Sequence, residues 1–114
     1  MTETIIGAAF NVHNSLGAGF LEKVYENALA HELRKQSVQV AQQYLCEVRY
    51  DEQVVGEYIA DLVVEGSVLV ELKAVNRLHD VHTAQCLNYL AATRLPVCLL
   101  LNFGNRVEVK RFRL

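Results

Sequence analysis

Residues 61–73 read Asp61-Leu62-Val63-Val64-Glu65-Gly66-Ser67-Val68-Leu69-Val70-Glu71-Leu72-Lys73. Aliphatic and β-branched runs on either side of a Glu-Gly-Ser turn signal an antiparallel hairpin. Side chains alternate along a strand, so Glu71 and Lys73 leave the same face. Loop length decides what stands across from them. If the loop is Glu65-Gly66-Ser67, Asp61 falls opposite Glu71. Leu62 then pairs with Val70, Ala60 with Leu72 and Val64 with Val68, an entirely apolar opposite face. This is the alternation that a sheet with one buried face requires. A two-residue loop would turn Asp61 away, so the pattern selects the three-residue loop. Asp61, Glu71 and Lys73 then share one polar face.

Two carboxylates directly opposed destabilise a sheet unless a proton, a lysine or a cation offsets them. Paired hard oxygen ligands suit Mg²⁺ or Mn²⁺, which accept one or two carboxylates and keep several waters. A lysine beside them can orient or deprotonate a water, or stabilise charge in a transition state. The bland alternative is a solvated surface cluster of Asp, Glu and Lys, and spacing leaves both readings open.

Outward from the hairpin, residues 4–13 read as a short amphipathic helix ending near Ser15–Gly19, where two glycines mark a turn. A second helix runs from Leu21 to Gln36. Leu21, Val24, Tyr25, Ala28, Leu29 and Leu33 form its apolar stripe, with Lys23, Asn27, His31 and Arg34 on the solvated side. Glu22 falls with Tyr25, Leu29 and Leu33, an odd place for a carboxylate unless the helix dipole favours it in the first turn. Strands are predicted over Tyr44–Tyr50, Val54–Val64 and Val68–Ala74, with turns at Asp51-Glu52-Gln53 and Glu65-Gly66-Ser67. A helix over Leu78–Thr93 is followed by strands at Pro96–Asn102 and Val107–Phe112. The helix between Ala74 and Pro96 is a crossover that brings the next strand in parallel.

At 114 residues the chain is expected to form one domain, 1–114, with a single core. Its formal charge of −2 gives no global basic field. Action on a nucleic acid would therefore need local basic patches, or metal ions that offset the protein's own carboxylates. The start Met1-Thr2-Glu3-Thr4 lacks a basic segment followed by an apolar one, and the longest apolar run, Leu95–Leu101, suits a buried strand. No membrane role is expected. Cys46, Cys86 and Cys98 are odd in number and widely spaced, which fits buried free thiols in a reducing cytoplasm. His79 and His82 stand three apart at a helix start. They read as polar first-turn residues, with metal sharing or phosphate contact as alternatives. Arg106, Lys110, Arg111 and Arg113 make a charged edge strand or a phosphate-binding surface. The five tyrosines read as core or cleft-wall residues.

Asp61, nine intervening residues and then Glu71-Leu72-Lys73 resembles the motif of the PD-(D/E)XK nuclease superfamily. Gly19-Phe20-Leu21-Glu22-Lys23-Val24-Tyr25 is similar to the name-giving motif of the bacterial GxxExxY family within it. Val70–Val75, Gln85-Cys86-Leu87-Asn88-Tyr89-Leu90 and Leu100-Leu101-Asn102-Phe103-Gly104 resemble that family too. The triplet alone is a weak signal, whereas the ordered blocks span nearly the whole chain. One departure exists: Ala60 stands where the superfamily has its proline, a position that supplies shape rather than a ligand.

The resemblance implies an α/β, restriction-endonuclease-like fold, a mixed central sheet flanked by helices. It implies that Glu22 joins the site from the helix before the strands. Gln85 would join from the helix after them, on an inward stripe with Val81 and Tyr89. The expected site is thus Glu22, Asp61, Glu71, Lys73 and Gln85. Mg²⁺ or Mn²⁺ would be held by Asp61, Glu71, the backbone carbonyl of Leu72 and Glu22. The expected function is metal-dependent hydrolysis of nucleic-acid phosphodiesters, DNA in the first place. A homodimer or larger protein partner would reconcile small size with a substrate clamp. The rival is a non-catalytic nucleic-acid-binding or assembly module that retains the fold.

Overall fold

Gly17, at φ 75°, stops the first helix, α1 (Thr2–Leu16), in the computed structural model, which describes residues 1–114. Such a left-handed angle is inexpensive only for glycine. After a short turn follows α2 (Glu22–Lys35). Five strands then build one sheet in spatial order β1-β2-β3-β4-β5: β1 (Val40–Tyr50), β2 (Gln53–Val64), β3 (Val68–Lys73), β4 (Val97–Phe103) and β5 (Val107–Arg113). The third helix, α3 (Asp80–Thr93), carries the chain from β3 to β4, which run parallel as the crossover requires; the other neighbours are antiparallel. The fold is therefore the α/β mixed sheet expected. Elements extend a few residues beyond their expected bounds in α1 and at the start of β1. The β1–β2 turn is shorter than expected: Asp51 and Glu52, both at positive φ, close it alone, so Gln53 already pairs with Tyr50.

Both faces of the sheet are covered, which corrects the expectation of a single buried face. On one side Ile5 and Val12 of α1 and Tyr25, Leu29 and Leu33 of α2 pack on Leu62, Val70, Leu72, Leu101 and Phe103. On the other, Cys86 and Leu90 of α3 pack on Val63, Leu69, Cys98 and Leu100. The α2 stripe is also rotated from the expected one. Leu21 and Val24 are exposed, while Glu26 and Ala30 are buried.

The hairpin β1–β2 changes face in mid-length. Val40 and Leu62 belong to the α1/α2 side, yet Cys46 and Ala60, an even number of residues further, belong to the α3 side. The register runs Gln42↔Leu62 and then Tyr44↔Ala60, skipping Gln43 and Asp61. Gln43 holds φ 54° there, the left-handed twist that reverses the strand's alternation. The β2–β3 ladder pairs Leu62↔Val70, Val63↔Leu69 and Val64↔Val68 around the three-residue turn, as expected, and then stops. The expected Ala60–Leu72 pair does not form, because β2 turns over at Asp61 and the two strands fork.

Candidate active site

The fork between β2 and β3 is where the acids meet. Asp61 reaches across it, and its Oδ2 accepts the backbone N–H of Leu72 at 2.8 Å. A side chain thus takes a donor left unpaired where the β2–β3 ladder ends. Glu71 lies beside Asp61, only 7% exposed, and its Oε1 has no hydrogen-bond partner. A buried carboxyl oxygen without a partner is costly. Burial and the charge of the adjacent Asp61 push the Glu71 carboxyl up to about 9, against a smaller opposing pull from Lys73. Glu71 is therefore disposed to hold a proton at neutral pH. The solvated surface cluster considered from sequence does not describe a residue so deeply placed.

Lys73 lies two residues on, half-buried, and has no carboxylate within ion-pairing distance. Its charge acts on Glu22, Glu71, His82 and Cys86 and so marks the centre of the group. Glu22 enters from the first turn of α2. Partial shielding raises its pKa, opposed by Lys73 and aided by Asp61 and Glu26. Glu22 thus belongs to the same electrostatic group as Asp61 and Lys73, though the residue is exposed. The expected inward stripe through Gln85 is corrected. Val81 and Gln85 face solvent, and the buried residues of α3 are Cys86 and Leu90, one position further round the helix. Gln85 makes no hydrogen bond to the acids. No three His, Cys, Asp or Glu side chains converge to hold a metal unaided.

Several residues that sequence reasoning did not assign complete the surroundings. Asn102, fully buried on β4 and in register with Lys73, clamps the segment just after it. Its Oδ1 accepts the Val75 N–H at 2.9 Å, and its Nδ2 donates to the Val75 carbonyl at 2.9 Å and to Glu108 Oε1 at 2.7 Å. Gly104 makes room, since a Cβ there would stand 2.7 Å from the Val75 oxygen. An asparagine inside the apolar run Val97–Phe103 was the available signal.

The motif Gly19–Tyr25 gains a physical reading. The Tyr25 hydroxyl donates to the Gly17 carbonyl at 2.6 Å and accepts the Phe20 N–H at 3.2 Å, pinning the loop that launches Glu22. Its ring stacks on Phe103 at 4.6 Å, and His13 Nε2 bonds the Gly104 carbonyl at 2.8 Å. Glu26, buried one turn beyond Glu22, accepts from Lys23, Gln42 and Gln43 and ties α2 to the twist of β1 opposite Asp61.

On the α3 side, the His82 imidazole is held below its usual value by shielding and by Lys73, His79 and Lys110. These groups form a small basic rim beside the acids. His82 Nδ1 accepts the His79 N–H at 3.1 Å, so these polar first-turn residues cap the start of α3, a role the sequence reading did not assign. The ring of Tyr58 stacks on Tyr89 at 3.8 Å and forms a wall whose hydroxyls feel the Glu71 carboxyl. The cysteines are all buried and unpaired by disulfide.

Comparison with known proteins agrees with this fold. The family model described as the PD-(D/E)XK nuclease superfamily matches residues 1–112. A solved structure titled "Crystal structure of SSO0001" superposes with a TM-score of 0.54 at 14% identity, over 80% of this chain and 48% of that one. At that identity the likeness shows the fold, and the chain spans about half the length of that protein. No curated protein matches the sequence.

Proposed function

We propose that this chain, which belongs to the PD-(D/E)XK nuclease superfamily, is a metal-dependent phosphodiester hydrolase of the GxxExxY type that acts on DNA. The observation that carries the reading is the unpartnered, buried Oε1 of Glu71 beside Asp61, with Lys73 two residues along the strand. Two hard carboxylates in a fork, one of which is costly to ionise alone, fit a divalent cation. Asp61, Glu71 and the Leu72 carbonyl would hold Mg²⁺ or Mn²⁺, with Glu22 at the outer side and water filling the remaining positions. When bound, the ion lowers the pKa of a coordinated water and offsets charge on the phosphoryl oxygens.

The chain's own residues supply the rest. Asp61 stays oriented by its bond to the Leu72 N–H. Glu71 gives up its proton on loading, so metal binding tightens as pH rises. Lys73 hydrogen-bonds the attacking water or the scissile phosphate and balances the added negative charge. The rim of His79, His82 and Lys110 offers phosphate contacts on the flank, which a chain of formal charge −2 needs. Gln85 is proposed as a rim residue that meets substrate rather than metal. The free, buried cysteines suit a reducing cytoplasm, and no helix is long and apolar enough to cross a membrane.

The test is cleavage of plasmid and single-stranded DNA with Mg²⁺ or Mn²⁺, comparing the native chain with Lys73→Ala and Asp61→Ala. A loss of about a hundredfold or more is expected in each. Equal activity in all three proteins contradicts the reading. The lack of three converging ligand side chains favours one rival, a nucleic-acid-binding or assembly module without turnover. DNA binding by gel shift, with no Mg²⁺ heat in calorimetry, would decide for it.

A further inference from the structure

The outer half of the β1–β2 hairpin is covered on one face only, where Cys46 and Tyr58 pack against α3. β1 is a sheet edge with nothing beyond it. Past the twist at Gln43 the hairpin leaves α2 behind, and the face turned away from α3 carries exposed apolar side chains. Leu45 and Ile59 face each other across the strands at 56% and 53% exposure, and Tyr50 reaches 76%. Exposed edges are normally blunted by lysine, proline or covering elements. The other edge, β5, follows that rule, with Lys110, Arg111 and Arg113 exposed and Arg111 tied to Thr2 of α1 at 3.0 Å. Val40–Tyr50 contains neither lysine nor proline, though its pairing with β2 slips by one residue between Val48 and Arg49.

Charge selects the occupant. Between residues 44 and 59 the arm carries Glu47, Asp51, Glu52 and Glu57 against Arg49 alone. An acidic arm repels a phosphate backbone, so it is not the substrate clamp. Its one cation sits two residues from Glu47 on the same face, bonded to it at 2.9 Å. That spacing is self-complementary. In an antiparallel pair with a two-fold axis at Val48, Glu47 of each strand lies opposite Arg49 of the other.

We propose that a second copy of this chain docks on this arm, β1 against β1 in antiparallel register about Val48. Four charges then alternate in sign about the axis, the Glu47–Arg49 pair of each copy meeting its inverse, while Glu57 flanks Glu47 from β2 within each copy. Val48 meets Val48 and Cys46 faces Tyr50 on the other face. The sheet becomes continuous through the dimer, and the two forks flank its four central strands.

Sedimentation or light scattering across a concentration series tests this, with circular dichroism to check folding. The native chain is expected to dimerise. Glu47→Arg alone and Arg49→Glu alone each set like charges across the axis and should weaken association by about tenfold or more. The double exchange, Glu47→Arg with Arg49→Glu, should restore it. An equimolar mixture of the two single variants should form heterodimers while each alone stays monomeric. A native chain monomeric at high micromolar concentration overturns the proposal. So does a dimer indifferent to the charge exchanges, or arm substitutions that alter DNA binding and not mass. Nuclease assays do not enter this test, so it stands or falls apart from the proposed function.

Discussion

Glu71 carries a proton because burial and the neighbouring Asp61 carboxylate both oppose its charge. The raised value has a stability consequence with a definite sign. The folded state binds that proton more tightly than the unfolded one. Its contribution is complete below the ordinary carboxylate range and fades as pH rises towards about 9. The metal-free protein should therefore lose stability over that window. Glu71→Gln should remove that part of the slope and be more stable than the native chain at pH near 8 by a few kcal/mol, an order-of-magnitude figure. Urea titrations at several pH values with a chelator present measure it; parallel slopes would contradict the assignment. Asn102 gives a second prediction. Asn102→Ala orphans both Val75 backbone groups in a buried place and should cost about 2–3 kcal/mol by denaturant titration. Gly104→Ala should also destabilise, since its Cβ meets the Val75 oxygen at 2.7 Å. The acids and Lys73 were legible from strand alternation because charge interrupts an apolar pattern. Asn102 was harder to assign, since its partner Val75 lies 27 residues away and spacing cannot show a clamp.

Among the elements, the paired change of face in β1 and β2 explains most of what the sequence concealed. Period-two alternation predicts which residues share a face only while the ladder is regular. The β2–β3 register was legible because Leu62–Val64 and Val68–Val70 are regular and the turn has a defined length. Ala60 was misplaced because the twist at Gln43 has no strong sequence mark; glutamine is not a residue that favours positive φ. The α2 stripe was displaced for a related reason, since Glu26 is buried only because Gln42 and Gln43 come to it from β1. Gln85 followed from resemblance, while the orientation of α3 depends on how Cys86 and Leu90 pack on the sheet. Tyr25→Phe isolates one such tertiary link. It removes the bonds to Gly17 and Phe20 while keeping the stack on Phe103, and should cost about 1 kcal/mol. The start of α2 should also loosen. Faster amide exchange in residues 20–25, with unchanged exchange in β4, is the expected result; uniform change across the chain would mean Tyr25 is only a core residue.

For the whole molecule, a formal charge of −2 and a fork of acids pose one electrostatic question. Without a cation, a proton on Glu71 relieves the repulsion between the two acids. On the proposed function, a bound cation would displace that proton and turn the field near the fork positive enough to receive a phosphodiester. Fold and chemistry meet at one point: the β2–β3 ladder stops at Leu62 and Val70, and the space it opens holds Asp61 and Glu71. The direct test is anomalous diffraction from a crystal of the chain soaked in Mn²⁺ near pH 8. The account predicts a peak in the fork, within coordination distance of an oxygen of Asp61 and of Glu71 Oε1, lost in Glu71→Gln. A fork without a peak at saturating Mn²⁺, with both carboxyls unmoved, would contradict it.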